Sequence, residues 1–349
     1  MSCLRPTASQ WPSSRLASGL VGLLALAIVA VGCGGGTTES VSVDGSSTVF
    51  PLTEAVAEEF MEDTQGARVN VGVSGTGGGF SKFLRGDIAI NDASRPISPE
   101  EIEKAAQNGV EYIEIPIAYD GLAVVVHPEN DWVECVTAGE LEELWAPNSS
   151  IDRWSQLRDD FPDRPIDLYG PGTASGTYDY FTEAIMGESG ASRSDFTASE
   201  DDNVLVQGIK GTETSLGYFG LAYYENNAGD LKALGVDPDQ PNSGAPCVTP
   251  SAETVQNGTY RPLSRPLFIY VNPAKVTPTV ETFVEFYLQN AGELASDVGY
   301  VAMPDDAYDL ALERFQSRTT GTVFGAEDVD VTGTRVEQML RSAMSDTAA

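Results

Sequence analysis

Three runs of small residues, each set between a strand-like stretch and a helix-like one, constrain this chain more than any other feature. They are Gly45-Ser46-Ser47-Thr48, Ser74-Gly75-Thr76-Gly77-Gly78-Gly79 and Gly172-Thr173-Ala174-Ser175-Gly176-Thr177. A helix N-terminus carries unpaired backbone N–H groups and a partial positive charge. Glycine lets an anion approach those groups, and Ser or Thr adds hydroxyl donors. One such run is a common helix cap. Three, far apart in sequence, point to a fold that gathers them around one dehydrated oxyanion.

The surrounding pattern supplies the frame. Apolar and β-branched runs predict strands over 41–43, 68–73, 87–90, 113–117, 122–127, 166–169, 216–222 and 267–271. Helical spacing and capping residues predict helices over 51–64, 80–85, 100–107, 137–144, 178–186, 203–211, 281–290, 307–315 and 336–344. Alternating strand, loop and helix gives an α/β fold with mostly parallel sheets, whose ligands sit beyond the C-terminal ends of the strands. Ile113–Ile117 and Leu122–His127, separated by Ala118-Tyr119-Asp120-Gly121, read as a passage into a second domain, with Leu267–Val271 as the return crossing. Residues 237–246 read as an exposed loop. Tyr119, Tyr169 and Tyr178 read as packing residues and His127, the single histidine, as structural.

Residues 1–32 read as an address. Arg5 and Arg15 form a positive n-region, and Leu20–Val31 is an apolar stretch too short to span a bilayer. Ala30-Val31-Gly32-Cys33 resembles a lipoprotein signal-peptide box. That resemblance implies cleavage and lipidation at Cys33, with residues 33–40 as a tether holding the protein outside the cell membrane; an ordinary secretory signal is the other reading. Of the four cysteines, Cys3 leaves with the signal and Cys33 carries lipid. Cys135 and Cys247 remain in an oxidising compartment, where a disulfide is expected in preference to two buried thiols.

The charge balance excludes some partners. The chain has 52 acidic and 20 basic residues, a formal charge of −32, and five lysines. Such a surface repels nucleic acid and anionic lipid. It reads as adapted to high salt, so an anion site must win by short-range hydrogen bonds in a closed cleft. No cofactor or metal is expected. The run at 75–79 lacks the Gly-Lys-Ser/Thr of a phosphate-cradling P-loop, and Phe80 stands where a dinucleotide fingerprint needs its last glycine. Thr173 breaks a nucleophile elbow, and one histidine in no recognisable nucleophile setting argues against a catalytic triad.

Four segments, Asp44–Pro51, Ser74–Phe80, Ala93–Ile97 and Gly170–Thr177, resemble the ligand segments of bacterial phosphate-binding proteins, the extracytoplasmic receptors of ABC phosphate importers. Asp201–Gly208, Gly217–Gly220 and Pro262–Phe268 continue the resemblance in family order. It implies a two-lobed periplasmic-binding-protein clamshell (type II), each lobe a mostly parallel sheet flanked by helices, with a two-strand hinge. Lobe 1 would comprise 41–117 plus 272–349 and lobe 2 residues 118–271. It implies inorganic phosphate as ligand, importer permease and ATPase subunits as partners, a monomer, and no catalysis. By motif, the phosphate contacts are Ser47, Thr48 and the N–H of Val49; Thr76, with Ser74 as a rival; and Ser175, Gly176 and Thr177. Some relatives place an arginine where this chain has Pro171, which leaves Arg95 as the local guanidinium. The acidic acceptor of those relatives falls at Ser94, with Asp92 two residues away. The acceptor matters because hydrogen phosphate has a proton to donate and sulfate has none. Plainer roles stand beside these: Ser47 and Thr48 as a helix N-cap, Arg95 in a surface ion pair, Asp92 as a loop cap. A receptor for another tetrahedral oxyanion, a secreted phosphate-ester hydrolase on the same scaffold and a phosphate sensor are the alternative functions.

Overall fold

The computed structural model describes residues 40–238, 247–325 and 335–347. The signal segment, Cys33 and most of the tether lie outside the described residues, as do 239–246 of the expected loop; Asp237 ends a buried strand instead.

The chain opens with β1 (Ser40–Gly45), α1 (Phe50–Asp63), β2 (Arg68–Val73), α2 (Thr76–Phe83), β3 (Ile90–Ala93) and α3 (Pro99–Asn108). It continues through β4 (Ile113–Val126), β5 (Cys135–Thr137), α4 (Ala138–Trp145), α5 (Trp154–Leu157), β6 (Asp167–Pro171), α6 (Gly176–Met186), β7 (Thr197–Ser199) and α7 (Asp202–Lys210). Then come β8 (Ser215–Gly220), α8 (Leu221–Asn226), β9 (Lys232–Ala233), β10 (Gly235–Asp237), α9 (Ala252–Gln256) and β11 (Ser264–Val271). The helices α10 (Pro278–Asp297), α11 (Asp305–Gln316) and α12 (Val336–Thr347) follow.

Strand pairing organises the molecule. The main sheet runs β2-β1-β3-β11-β4-β8-β6-β7, with β9 alongside β4. At one end β1 pairs in parallel with β2 and β3. At the other β6 pairs in parallel with β7 and β8. Between them β4 and β11 run antiparallel, Asp120 opposite Arg265 and Glu114 opposite Tyr270. The first part of β4 pairs with β11, and Leu122–Val126 pairs with β8. The sequence predicts two strands here. The structure makes one 14-residue strand, buried throughout, because Ala118–Gly121 keeps its ladder with β11 and stays extended.

Each parallel block has its own apolar filling. Phe60 of α1 meets Phe283 and Phe286 of α10 edge-on. On the other side Trp145 packs edge-on against Phe181, Phe196 and Tyr218. Such pairs add about 0.5–1.5 kcal/mol each beyond their buried area. Cys135 of β5 and Cys247 are joined as a disulfide, 112 residues apart in sequence.

Three element boundaries differ from expectation for packing reasons. Helix α2 starts at Thr76, inside the glycine run, instead of Phe80. A Cβ at Gly79 would come within 2.7 Å of Gly45 Cα, so the glycines let the helix lie directly on β1. Strand β3 covers Ile90–Ala93 instead of 87–90, fixed by pairing with Val43–Gly45. Helix α10 extends to Asp297 because Thr277 caps it, Pro278 opens it and Ala291, Leu294 and Ala295 continue its buried face.

Candidate functional site

The parallel strands β1, β2 and β3 end at one edge, and the small-residue loops leave from it. Gly45, at φ +152°, could not be replaced: a Cβ there would stand 2.1 Å from the Asp92 carbonyl oxygen. This close approach lets Ser46 N–H donate to that carbonyl at 3.0 Å. The Thr48 N–H donates to Ser46 Oγ at 3.1 Å, and the Tyr300 hydroxyl donates to the Thr48 carbonyl. The N-cap of α1 is Val49 and receives no side-chain cap. Ser47 and Thr48 therefore do not cap that helix, and both line cavities.

The second run places Thr76 at the first turn of α2. Its hydroxyl lies 3.1 Å from Ser94 Oγ, and Ser94 N–H donates to Thr76 Oγ1 at 3.2 Å. Ser74 is engaged elsewhere: its hydroxyl donates to Asp44, which also pairs with Lys82 at 2.5 Å. In the third run Ser175 is the N-cap of α6, accepting the Thr177 N–H at 3.2 Å. The start of α6 abuts the first run. A Cβ at Gly176 would fall 2.7 Å from Thr48 Oγ1 and 2.9 Å from Thr48 Cα.

Two cavities meet at Ser47 and Thr48. The smaller, of about 190 Å³, is lined by Ser46–Thr48, Gly75, Thr76, Ser94 and Arg95 together with Asp179, Glu183, Ser189 and Arg265. The larger, of about 340 Å³, is lined by Ser47, Thr48, Asp120, Ser175–Thr177, Glu200, Asp202, Tyr223 and Tyr300 among others. Hydroxyls of the first run line both cavities, Thr76 of the second lines the smaller and Ser175 and Thr177 of the third the larger, with carboxylates around each. Burial pushes the Asp120 carboxyl up to about 6, against the pull of Arg265. Burial, with Asp201 and Glu200 nearby, pushes Asp202 up to about 6.

The remaining nominated residues occupy varied positions. Arg95 lines the smaller cavity but makes a bidentate pair with Glu101, at 2.8 and 3.0 Å; hydrogen bonding to Glu101 raises its pKa further. Asp92 is fully buried, lines neither cavity, and has no hydrogen-bond partner on either carboxylate oxygen. Burial pushes it up to about 8, only partly countered by the Thr53 hydroxyl, with Asp44 adding to the rise. It serves the site through its backbone carbonyl, which holds Ser46. Val49 is buried behind its loop.

Sequence reading missed Asp120 and Arg265. Arg265 Nη1 donates to Glu183 Oε2 at 3.0 Å, and its guanidinium lies 3.7 Å over the Tyr180 ring. The available signal was a charge inside an otherwise apolar strand: β4 carries two, Glu114 and Asp120, and β11 one, Arg265. Among the described residues no group of three or more His, Cys, Asp or Glu is placed to hold a metal ion, and no helix is long and apolar enough to cross a membrane.

Parallel blocks joined by antiparallel crossing strands fit a periplasmic-binding-protein fold, with hydroxyl and amide donors on the loops at the strand ends, where open α/β sheets bind ligands. The PBP superfamily domain model matches residues 34–291. Protein SphX of Synechocystis sp. is 48% identical over 321 residues, covering 90% of this chain and 94% of its own. The phosphate-binding protein PstS of Staphylococcus saprophyticus is 38% identical over 283 residues, covering 79% of this chain and 86% of its own. The crystal structure of a possible phosphate binding protein from Planctomyces limnophilus aligns with a TM-score of 0.75 at 43% identity, over 80% of this chain and 99% of that one. The chain belongs to the PBP superfamily and to its PstS-like members, which are binding proteins and not enzymes.

Proposed function

We propose that this protein captures inorganic phosphate outside the cell membrane and hands it to the permease and ATPase subunits of an ABC importer. Two lobes, residues 41–117 with 272–349 and residues 118–271, would close about β4 and β11 as hinge. Phosphate would be held by Ser47, Thr48, the Val49 N–H, Thr76, Ser94, Arg95 and the Ser175–Thr177 helix start. The observation that carries this reading is the contact between Gly176 and Thr48. It brings the N-terminus of α6 onto the loop after β1, so donors from both parallel blocks can replace the water shell of one small anion. Differential affinity for the closed state would drive the motion. Lipidation at Cys33 would keep the receptor, as a monomer, near its permease.

Isothermal titration is the direct test. One phosphate per chain, at micromolar affinity or tighter, is the expected result. Heat with another tetrahedral oxyanion and none with phosphate would transfer the protein to a sibling receptor class. Mass spectrometry of the membrane-bound form, expected to find a lipid-modified Cys33 at its N-terminus, checks the anchor.

A further inference from the structure

The connection between α10 and α11 touches the first small-residue loop, β4, α8 and α9 within a few residues. The Tyr119 N–H donates to the Val301 carbonyl at 2.8 Å, and the Val301 N–H donates to the Tyr119 carbonyl at 2.9 Å. On the other side of β4, Tyr119 lies opposite Pro266 of β11, and proline has no N–H to offer. Val301 takes both backbone groups of Tyr119, so a third segment flanks the two crossing strands. The Gln256 amide of α9 donates to the Ala302 carbonyl at 2.8 Å. Gly299, at φ +93°, lies on α8: a Cβ there would stand 3.6 Å from the Tyr223 ring and 4.0 Å from Ala222 Cβ.

Between these anchors the Tyr300 hydroxyl donates to the Thr48 carbonyl. A peptide unit is planar, so a donor fixed on that carbonyl also fixes the direction of the Val49 N–H. Tyr300 cannot drift with the loop, because its neighbours are tied to β4, α8 and α9. It also forms part of the wall of the larger anion cavity and of a separate cavity of about 320 Å³, lined by residues of α8 and α9 and by Ser296 and Tyr300–Ala302. We propose that Tyr300 is a positioning residue for phosphate capture, and that residues 299–302 couple the aim of the first loop to the seating of α8 and α9. Its hydroxyl is committed to Thr48, so it acts through the loop. The assignment rests on the phosphate reading above, in which Thr48 belongs to one lobe and α8 and α9 to the other. A lobe that swings away withdraws Gln256 and α8 from the segment and loosens the loop. The loop donors are then aimed only in the arrangement that also brings the third run to Thr48.

Phosphate titration of the full chain tests this with wild type, Tyr300→Phe, Gln256→Ala and the double variant. Tyr300→Phe keeps the ring and removes the donor, and affinity should fall about tenfold, the scale of one hydrogen bond. Gln256 lines neither anion cavity, yet Gln256→Ala should weaken binding about threefold. In the Tyr300→Phe background the same change should have no further effect, because the path to the loop is already cut. A merely structural tyrosine would give independent losses. Wild-type affinity in either single variant, or an equal loss from Gln256→Ala in both backgrounds, overturns the proposal. If Tyr300→Phe does not fold, Gln256→Ala alone still decides by its affinity. Absence of phosphate binding by wild type would instead remove the receptor reading itself.

Discussion

Glu114 and Asp120 sit on the same strand, six positions apart, and both are buried. Glu114 lies in the stretch of β4 facing Tyr270 and is saturated. The Tyr270 hydroxyl donates to it at 2.7 Å, Thr322 at 2.5 Å, and the N–H groups of Val323 and Phe324 at 2.6 and 3.0 Å. It ties the segment at 322–324 to the first parallel block. Asp120 lies at the junction with the second block and has one oxygen with no donor. A buried charge that the protein satisfies by itself is structural. A buried charge left short of partners has its charged form disfavoured instead, as burial pushes the Asp120 carboxyl up to about 6.

Breaking the saturated end should give the largest change. Glu114→Ala strands four donors and is expected to cost about 3–5 kcal/mol of stability, the range for removing one partner of a buried charged network. The phosphate affinity of the folded fraction should not move. Denaturant unfolding with parallel titration checks both halves, and a shifted affinity would erase the distinction between the two ends.

Asp92 sharpens the comparison, being buried and unpartnered but away from the cavities. Burial pushes its carboxyl up to about 8, above the ordinary 3.8. Between those values the folded state holds a proton that the unfolded state has released, so stability falls as pH rises from about 4 to about 8. Thr53, Asp44 and Tyr287 are the groups around it. Asp92→Asn cannot ionise; it should stabilise the protein on the order of a few kcal/mol at pH 8 and little at pH 4. Melting curves across that range that run parallel for the two proteins would refute it.

The smallest expected effect tests the contact between blocks. Gly176→Ala must push α6 away from Thr48 by a fraction of an ångström. Phosphate affinity should drop about tenfold, or 1.4 kcal/mol, with little change in melting temperature. Equal affinity would show that the contact between Gly176 and Thr48 does not set binding.

Much of this fold was legible residue by residue. The capping boxes Ser98-Glu101 and Thr137-Glu140, Pro51 at a helix start, and Ser175 as an N-cap all act within a few residues of themselves. The hydroxyl and amide donors were legible for the same reason, because strand–loop–helix junctions present them locally. Boundaries slipped where a neighbour overrode local preference, as at α2, where glycines pressed against β1 take helical form. Asp92 was nominated by its proximity in sequence to Ser94 and Arg95. Its place in β3, paired on one side with β1 and on the other with β11, buries the Asp92 carboxyl inside the fold.

The sequence by itself determined the alternation of strands and helices, the places where anion donors gather, and the acidic character that confines binding to short range. Only the tertiary structure decided which charges meet. Asp120 and Arg265 are far apart along the chain, and neither carries a local pattern that names the other. Antiparallel pairing of β4 with β11 puts them face to face, and long-range burial leaves each with an unpaired polar atom there. Backbone preferences act over a few residues, whereas desolvation and charge pairing depend on what the whole chain brings into contact.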